Sequence, residues 1–244
     1  MPAPPSPVNW SPMRFLHVRL HAPARSLPAL ADFYGARLGI EPVEVADGAM
    51  AVGLGETRLE FLASEARPFY HLALLAPGNR FGKLLDWARG RTELLPDRTS
   101  GDVVFDFTSW GAQACYFHDP AGNIVELIAH RGIGETTRRG PFGGEELLGL
   151  SELGLVGPTV EAASRLRREV GLEVWDGTVA AESGLAFVGE PARTLILTAA
   201  GRPWLPTGRP AEAHPVEVVL SGPPAGETTI DTIHRIRRTE NAAG

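Results

Sequence analysis

Four side chains of this 244-residue sequence could bind an ion together: His17, Glu60, His71 and Glu126. Each lies near the middle of a short apolar segment, FLHVRL, TRLEFL, FYHLALLA and NIVELIAH. A carboxylate among apolar neighbours is costly to bury unless something compensates its charge, and one shared divalent cation compensates two. Imidazole nitrogens with carboxylate oxygens suit one divalent metal ion, iron, nickel, manganese, cobalt or zinc. Taken singly, the histidines read as packed core residues and the glutamates as partners of arginines such as Arg19 and Arg58. Taken together at matched positions of a repeat, the four favour the metal.

The elements that would carry them follow from periodicity. Alternation along FLHVRL puts His17 and Arg19 on one face, and in TRLEFL it puts Arg58 and Glu60 opposite Leu59 and Phe61. In NIVELIAH it sends Val125, Leu127 and Ala129 toward a covering helix and Ile124, Glu126 and Ile128 inward. His21 shares a face with His17, but four residues of strand place it about 13 Å away, too far for the same ion. Arg19, Arg58 and Trp110 are expected to contact substrate. Tyr116 is expected to line the cup as a catalytic acid/base group or a substrate contact, and Cys115, of opposite parity, to be core. His118 and Asp119 sit at a tight turn, where a structural role is expected.

These strands belong to a recurring order of one strand, one helix and three strands. After FLHVRL, a helix capped by Ser26 is expected to run to about Leu38, stopped by Gly39, followed by strands PVEVA, AMAVGL and TRLEFLA. FYHLALLA opens a second unit, with Asn79 expected to cap its helix, and the turn Asp-Pro-Ala-Gly-Asn at 119–123 joins its last two strands. LSELGLVG opens a third, with a helix from about Thr159 to Val170 stopped by Gly171. HPVEVVLSG begins a fourth that is not continued. The expected division is an N-terminal arm (1–13), a two-module domain (14–132), a degenerate third module with part of a fourth (145–222) and a frayed polar tail (223–244) that includes the basic run Arg235, Arg237 and Arg238. The glycine-rich stretch 131–144 is the expected linker.

Composition excludes several classes. A net charge of −6 argues against nucleic acid or an anionic membrane as partner. The single cysteine allows no intrachain disulfide and fits a cytoplasmic protein. No apolar run approaches the roughly 20 residues needed to span a bilayer, and the N-terminus has no secretory signal pattern. No nucleotide-binding loop or Ser-His-Asp arrangement is evident.

The segments FLHVRLHAPARSLPALADFYGARLGI, TRLEFLAS, FYHLALLAP and above all YFHDPAGNIVELIAH resemble the vicinal oxygen chelate superfamily, which includes glyoxalase I, extradiol dioxygenases and bleomycin-resistance proteins. The resemblance implies an α+β fold of repeated βαβββ modules forming a curved, cup-like mixed β-barrel with helices outside. It implies His17, Glu60, His71 and Glu126 as the metal set of a glyoxalase-like lyase or isomerase, with Glu60 or Glu126 as the base. The alternatives are an iron(II) extradiol dioxygenase using His17, His71 and Glu126, and a non-catalytic binder of a small molecule such as an antibiotic. Glu152 stands where His17 stands in the first unit, and Ile196 near the place of Glu60, so no second metal is expected in the second half. That half is expected to support the first or wall its cup, with Arg202 and Trp204 as wall residues. An open third unit favours a homodimer, and the expected partner of the site is a small molecule.

Overall fold

The structure, a computed structural model, describes residues 13–182 and 184–240. The expected N-terminal arm lies outside them except for Met13, which is buried.

The first module runs β1 (Phe15–Pro23), α1 (Leu27–Asp32, continued by a π-helical turn over Phe33–Arg37), β2 (Val43–Ala46), β3 (Ala49–Leu54) and β4 (Thr57–Ser64). The second runs β5 (His71–Ala76), α2 (Phe81–Arg89), β6 (Phe105–Phe107), β7 (Ala112–His118) and β8 (Ile124–His130). The third runs β9 (Gly149–Val156), α3 (Thr159–Val170), β10 (Val174–Thr178), β11 (Leu185–Glu190) and β12 (Arg193–Thr198). A short hairpin of β13 (Pro203–Trp204) and β14 (Arg209–Pro210) follows, then β15 (Val216–Ser221), β16 (Gly226–Ile230) and β17 (His234–Thr239).

The βαβββ order is therefore as expected, but two local expectations fail. Ser26 makes no side-chain cap, because the chain enters α1 through a 3-10 turn over Ala24–Ser26. Asn79 does not cap α2; its side chain bonds Thr136 instead. Gly171 does end α3, in the left-handed conformation that frees glycine from a Cβ clash.

Strand pairing decides which residues meet. One eight-stranded sheet has the order β10-β11-β12-β9-β5-β8-β7-β6, and a seven-stranded sheet has the order β16-β17-β15-β1-β4-β3-β2. The second module thus pairs with the third, and the first with the fourth. Within a module the first and last strands are parallel, as in His71↔Ile124 and Ala73↔Glu126. Between modules the first strands are antiparallel, as in Ala73↔Glu152 and Val18↔Val218. The eight-stranded sheet curls into a half-barrel. Its two edges are pinned where the Trp110 indole N–H donates to Asp176 of β10, with Trp110 also against Trp175 and Phe187.

Alternation along the strands divides the interior. Leu72, Leu74, Val125, Leu127, Leu153, Leu195 and Leu197 face the helices in a core shared with the seven-stranded sheet. Ala73, Tyr116, Ile124, Ile128 and Ile196 line the other, concave face. The 119–123 turn is structural, as expected: buried Asp119 accepts from Ala121 and Asn123 backbone N–H, the Asn123 amide and the Tyr34 hydroxyl, tying α1 to the second module.

The described part of the expected tail is not frayed. Residues 226–239 form two strands; β17 lies parallel to β15 from Val216↔His234 to Ser221↔Thr239, and β16 pairs antiparallel with β17. Nor is the basic run wholly solvated. Arg238 is buried and donates from Nη1 to the Val170 and Gly171 carbonyls at 3.2 and 3.1 Å, satisfying the C-terminal end of α3. The homodimer was expected because a third unit with one extra strand cannot close a sheet. Here the third module continues the sheet of the second and β15 continues the sheet of the first, so the extra unit packs within the chain. Among the described residues no helix is long and apolar enough to cross a membrane.

Candidate metal centre

Ala73, in the central strand β5, is flanked in register by Glu126 of β8 on one side and Glu152 of β9 on the other. Its methyl group leaves room above it, and His71, two residues earlier, projects from the same face. Ligand atoms of His71, Glu126 and Glu152 lie within 4.8 Å of one another, and all three side chains are buried.

The hydrogen bonds set the chemistry. His71 Nδ1 lies 3.3 Å from the Ile124 carbonyl oxygen, which can only accept, so Nδ1 carries the proton. Burial pushes the His71 pKa down to about 4, so the ring is neutral and Nε2 presents a lone pair. That lone pair faces Glu126 Oε2 at 3.5 Å. Glu152 Oε1 is buried with no hydrogen-bond partner. Burial, and then the Glu152 charge, push Glu126 well above the carboxylate range; burial raises Glu152 too. Three electron-rich atoms therefore converge, and among the described residues no lysine or arginine pairs with either glutamate. The trio fits one divalent metal: a neutral imidazole oriented by its backbone bond, two carboxylates and an unsatisfied oxygen.

The other expected residues divide between the two sheets. Tyr116, opposite Glu126 in β7, hydrogen-bonds that carboxylate. Burial, and then Glu126, hold its hydroxyl well above the usual phenol range, so it is the donor. Trp110 lines the cavity over the trio. His17 and Glu60 are instead neighbours in the seven-stranded sheet, with His17 Nε2 3.2 Å from Glu60 Oε2. Arg19 Nε donates to the same oxygen at 2.6 Å, and Arg19 Nη1 donates to Glu217 at 2.8 Å. Burial raises the Glu60 pKa, but Arg19 outweighs it and leaves Glu60 below its ordinary value. A guanidinium already meets that carboxylate, as the alternative reading of Glu60 expected. Arg58 pairs with Glu44 at 2.8 Å in the same sheet. The four-residue set His17, Glu60, His71 and Glu126 thus does not share a centre, and Arg19 and Arg58 do not line the cavity. The cause is module pairing.

Glu152 is the residue that sequence reasoning passed over. Its signal was present: a mid-strand glutamate, between Ser151 and Leu153, at the position matching His17. Only the pairing of β9 with β5 turns it into a partner of His71.

The cavity above the trio has a volume of about 280 Å³ and is walled by Phe107, Trp110, Phe187, Ile196, Trp204 and Leu205, with Asp176 and Arg202 also in its lining. Trp204, delivered by the hairpin between the third and fourth modules, lies against His71 with ring centroids 4.9 Å apart. It fits there because residue 154 is glycine: a Cβ at that position would meet the Trp204 ring at 3.0 Å. Arg202 and Trp204 do wall the cup, as expected.

No protein-family model matches the chain, and no curated protein matches it. Solved structures do. A putative dioxygenase from Bacillus subtilis is 15% identical, with 95% of this chain and 87% of that one covered and a TM-score of 0.57. Glyoxalase I from Zea mays is 12% identical, with 86% and 74% covered and a TM-score of 0.52. At these identities the likeness is one of fold.

Proposed function

The chain has the vicinal oxygen chelate fold, and on it we propose a divalent-metal-dependent lyase or isomerase of the glyoxalase-like kind, acting on a small molecule with two adjacent oxygens. His71, Glu126 and Glu152 would hold the ion. The observation that carries this reading is the neutral His71 lone pair facing the Glu126 carboxylate at 3.5 Å, beside an unpartnered Glu152 oxygen. Such a cluster is unfavourable unless a cation or a proton completes it.

The ion would supply Lewis acidity toward two neighbouring oxygens, making the adjacent C–H more acidic. The proton transfer itself falls to the protein. Glu152 lines the cavity, has an oxygen without a hydrogen-bond partner and a proton affinity raised by burial in the metal-free chain; it takes a proton from one carbon and returns it to the next. Glu126, fixed by the Tyr116 hydroxyl, stays in place. The aromatic walls exclude water and so limit loss of the transferred proton. A dioxygenase with two histidines and one carboxylate is less well supported, because the group brings together one histidine and two glutamates.

Cobalt(II) titration of metal-free protein tests the site. Wild type and His17→Ala should bind one equivalent alike, while His71→Ala and Glu152→Gln should lose about 100-fold or more in affinity. Loss of binding in His17→Ala with retention in His71→Ala would reverse the assignment. Metal-dependent turnover of thiohemiacetals then separates catalysis from simple binding.

A further inference from the structure

The charged groups around the cavity can be accounted for one by one. His71, Glu126 and Glu152 face one another. Asp176 has both oxygens engaged, one by the Trp110 indole N–H and one by the Gly177 backbone N–H. Arg202 is left over. Half-buried beside Trp204 and Leu205, it makes only a 3.4 Å bond from Nη1 to the Pro203 carbonyl. No carboxylate lies within salt-bridge distance of it among the described residues, whereas Asp176 has a partner on each oxygen.

Its backbone is fixed all the same. Ala211 N–H donates to the Arg202 carbonyl at 2.7 Å, and Gly201 N–H donates to the Ala211 carbonyl at 2.8 Å. The guanidinium is thus carried on an anchored turn, with burial pulling its pKa down and no carboxylate among the described residues paired with it. A planar fork of N–H donors lining the same cavity as Trp204 matches a carboxylate in geometry and charge.

We infer that Arg202 is a specificity-determining residue, and that the cavity takes an aromatic molecule with two adjacent oxygens at one end and a carboxylate at the other, docked on Arg202. The oxygen-bearing end rests on the function proposed above; the carboxylate end rests on Arg202 alone. Selectivity for this second group then comes from the arm between the third and fourth modules. The same arm supplies Trp204 against His71, so one segment shapes both ends of the pocket.

The test uses 3-(3,4-dihydroxyphenyl)propanoate and its neutral amide as probes, read by quenching of tryptophan fluorescence in the zinc-loaded full chain. Wild type should bind the acid about tenfold more tightly than the amide. Arg202→Met should bind the two equally, and Arg202→Lys should keep part of the preference. No preference in wild type, or an undiminished preference in Arg202→Met, overturns the inference. Cobalt(II) titration of the same variants keeps the two proposals apart, since Arg202→Met should bind metal as wild type does. If neither protein binds metal, the function above fails, and 2-naphthoate against 2-naphthamide with the metal-free chain decides the carboxylate site by the same ratio.

Discussion

Ala73 spaces the two buried glutamates, and their shared environment makes the metal-free protein sensitive to pH. Burial raises Glu152 to about 7 and Glu126 also rises, so between the ordinary carboxylate range and that value the folded chain holds more protons than the unfolded one. Stability then falls as pH rises through that interval. His71, lowered to about 4 from an ordinary 6.5, acts in the opposite direction, but its contribution is complete by about pH 6.5. Above that pH the carboxylates set the sign. The stability of metal-free protein should fall as pH rises from about 6.5 through about 7, by at most about 1.4 kcal/mol per pH unit for each proton, seen as a falling melting temperature. Glu152→Gln should flatten the slope, and a bound divalent ion should remove it by favouring the deprotonated form. A flat wild-type profile would show that Glu152 is already ionised in the fold. At this scale the sequence was partly legible. Parity alone placed Glu126, Tyr116 and Ile128 on the concave face. It could not tell Glu60 from Glu126, because both are mid-strand glutamates, and Arg19 becomes a partner of the first only once Glu60 lies beside it.

The elements were the most legible level. Strand after strand appears where alternation put it, and α3 ends at the glycine that stops it. The exceptions have physical causes. In β17 the alternation of His234, Ile236 and Arg238 against Arg235 and Arg237 is masked by its arginines, one of which is buried against a helix end. Removing residues 223–244 should therefore leave β15 with an unpaired edge and α3 without its cation. That truncation should be aggregated or strongly destabilised in thermal unfolding, where a frayed tail would leave the melting temperature unchanged. The inter-module arm carries a second consequence. Gly154→Val would drive a branched side chain into the Trp204 ring, already only 3.0 Å from a bare Cβ. It should weaken cobalt(II) binding about tenfold while circular dichroism stays native. Unchanged affinity would mean that Trp204 does not steady His71.

At the scale of the molecule, what the sequence withheld was partnership. The first strands of the modules are similar apolar runs with a free edge, and nothing local tells β5 to choose β9 rather than β1. That choice is a long-range property, and it moved the expected centre from four residues in one half of the chain to three residues drawn from both halves. The seven-stranded sheet has a further implication. Ser221 sits between the beginning and the end of the described chain: its hydroxyl accepts from Arg14 N–H, its own N–H donates to the Arg14 carbonyl, and it pairs with Thr239 on the other side. Fusing residue 240 to residue 13 through a short glycine-serine bridge, and opening the chain at the exposed stretch 137–140, should yield a reordered polypeptide that still builds both sheets. It should keep wild-type cobalt(II) affinity, since β5, β8 and β9 would meet as before. Its synthesis would then begin with the strand that carries Glu152 and end with the one that carries Glu126, making the assembly of the trio independent of the order in which its members are made.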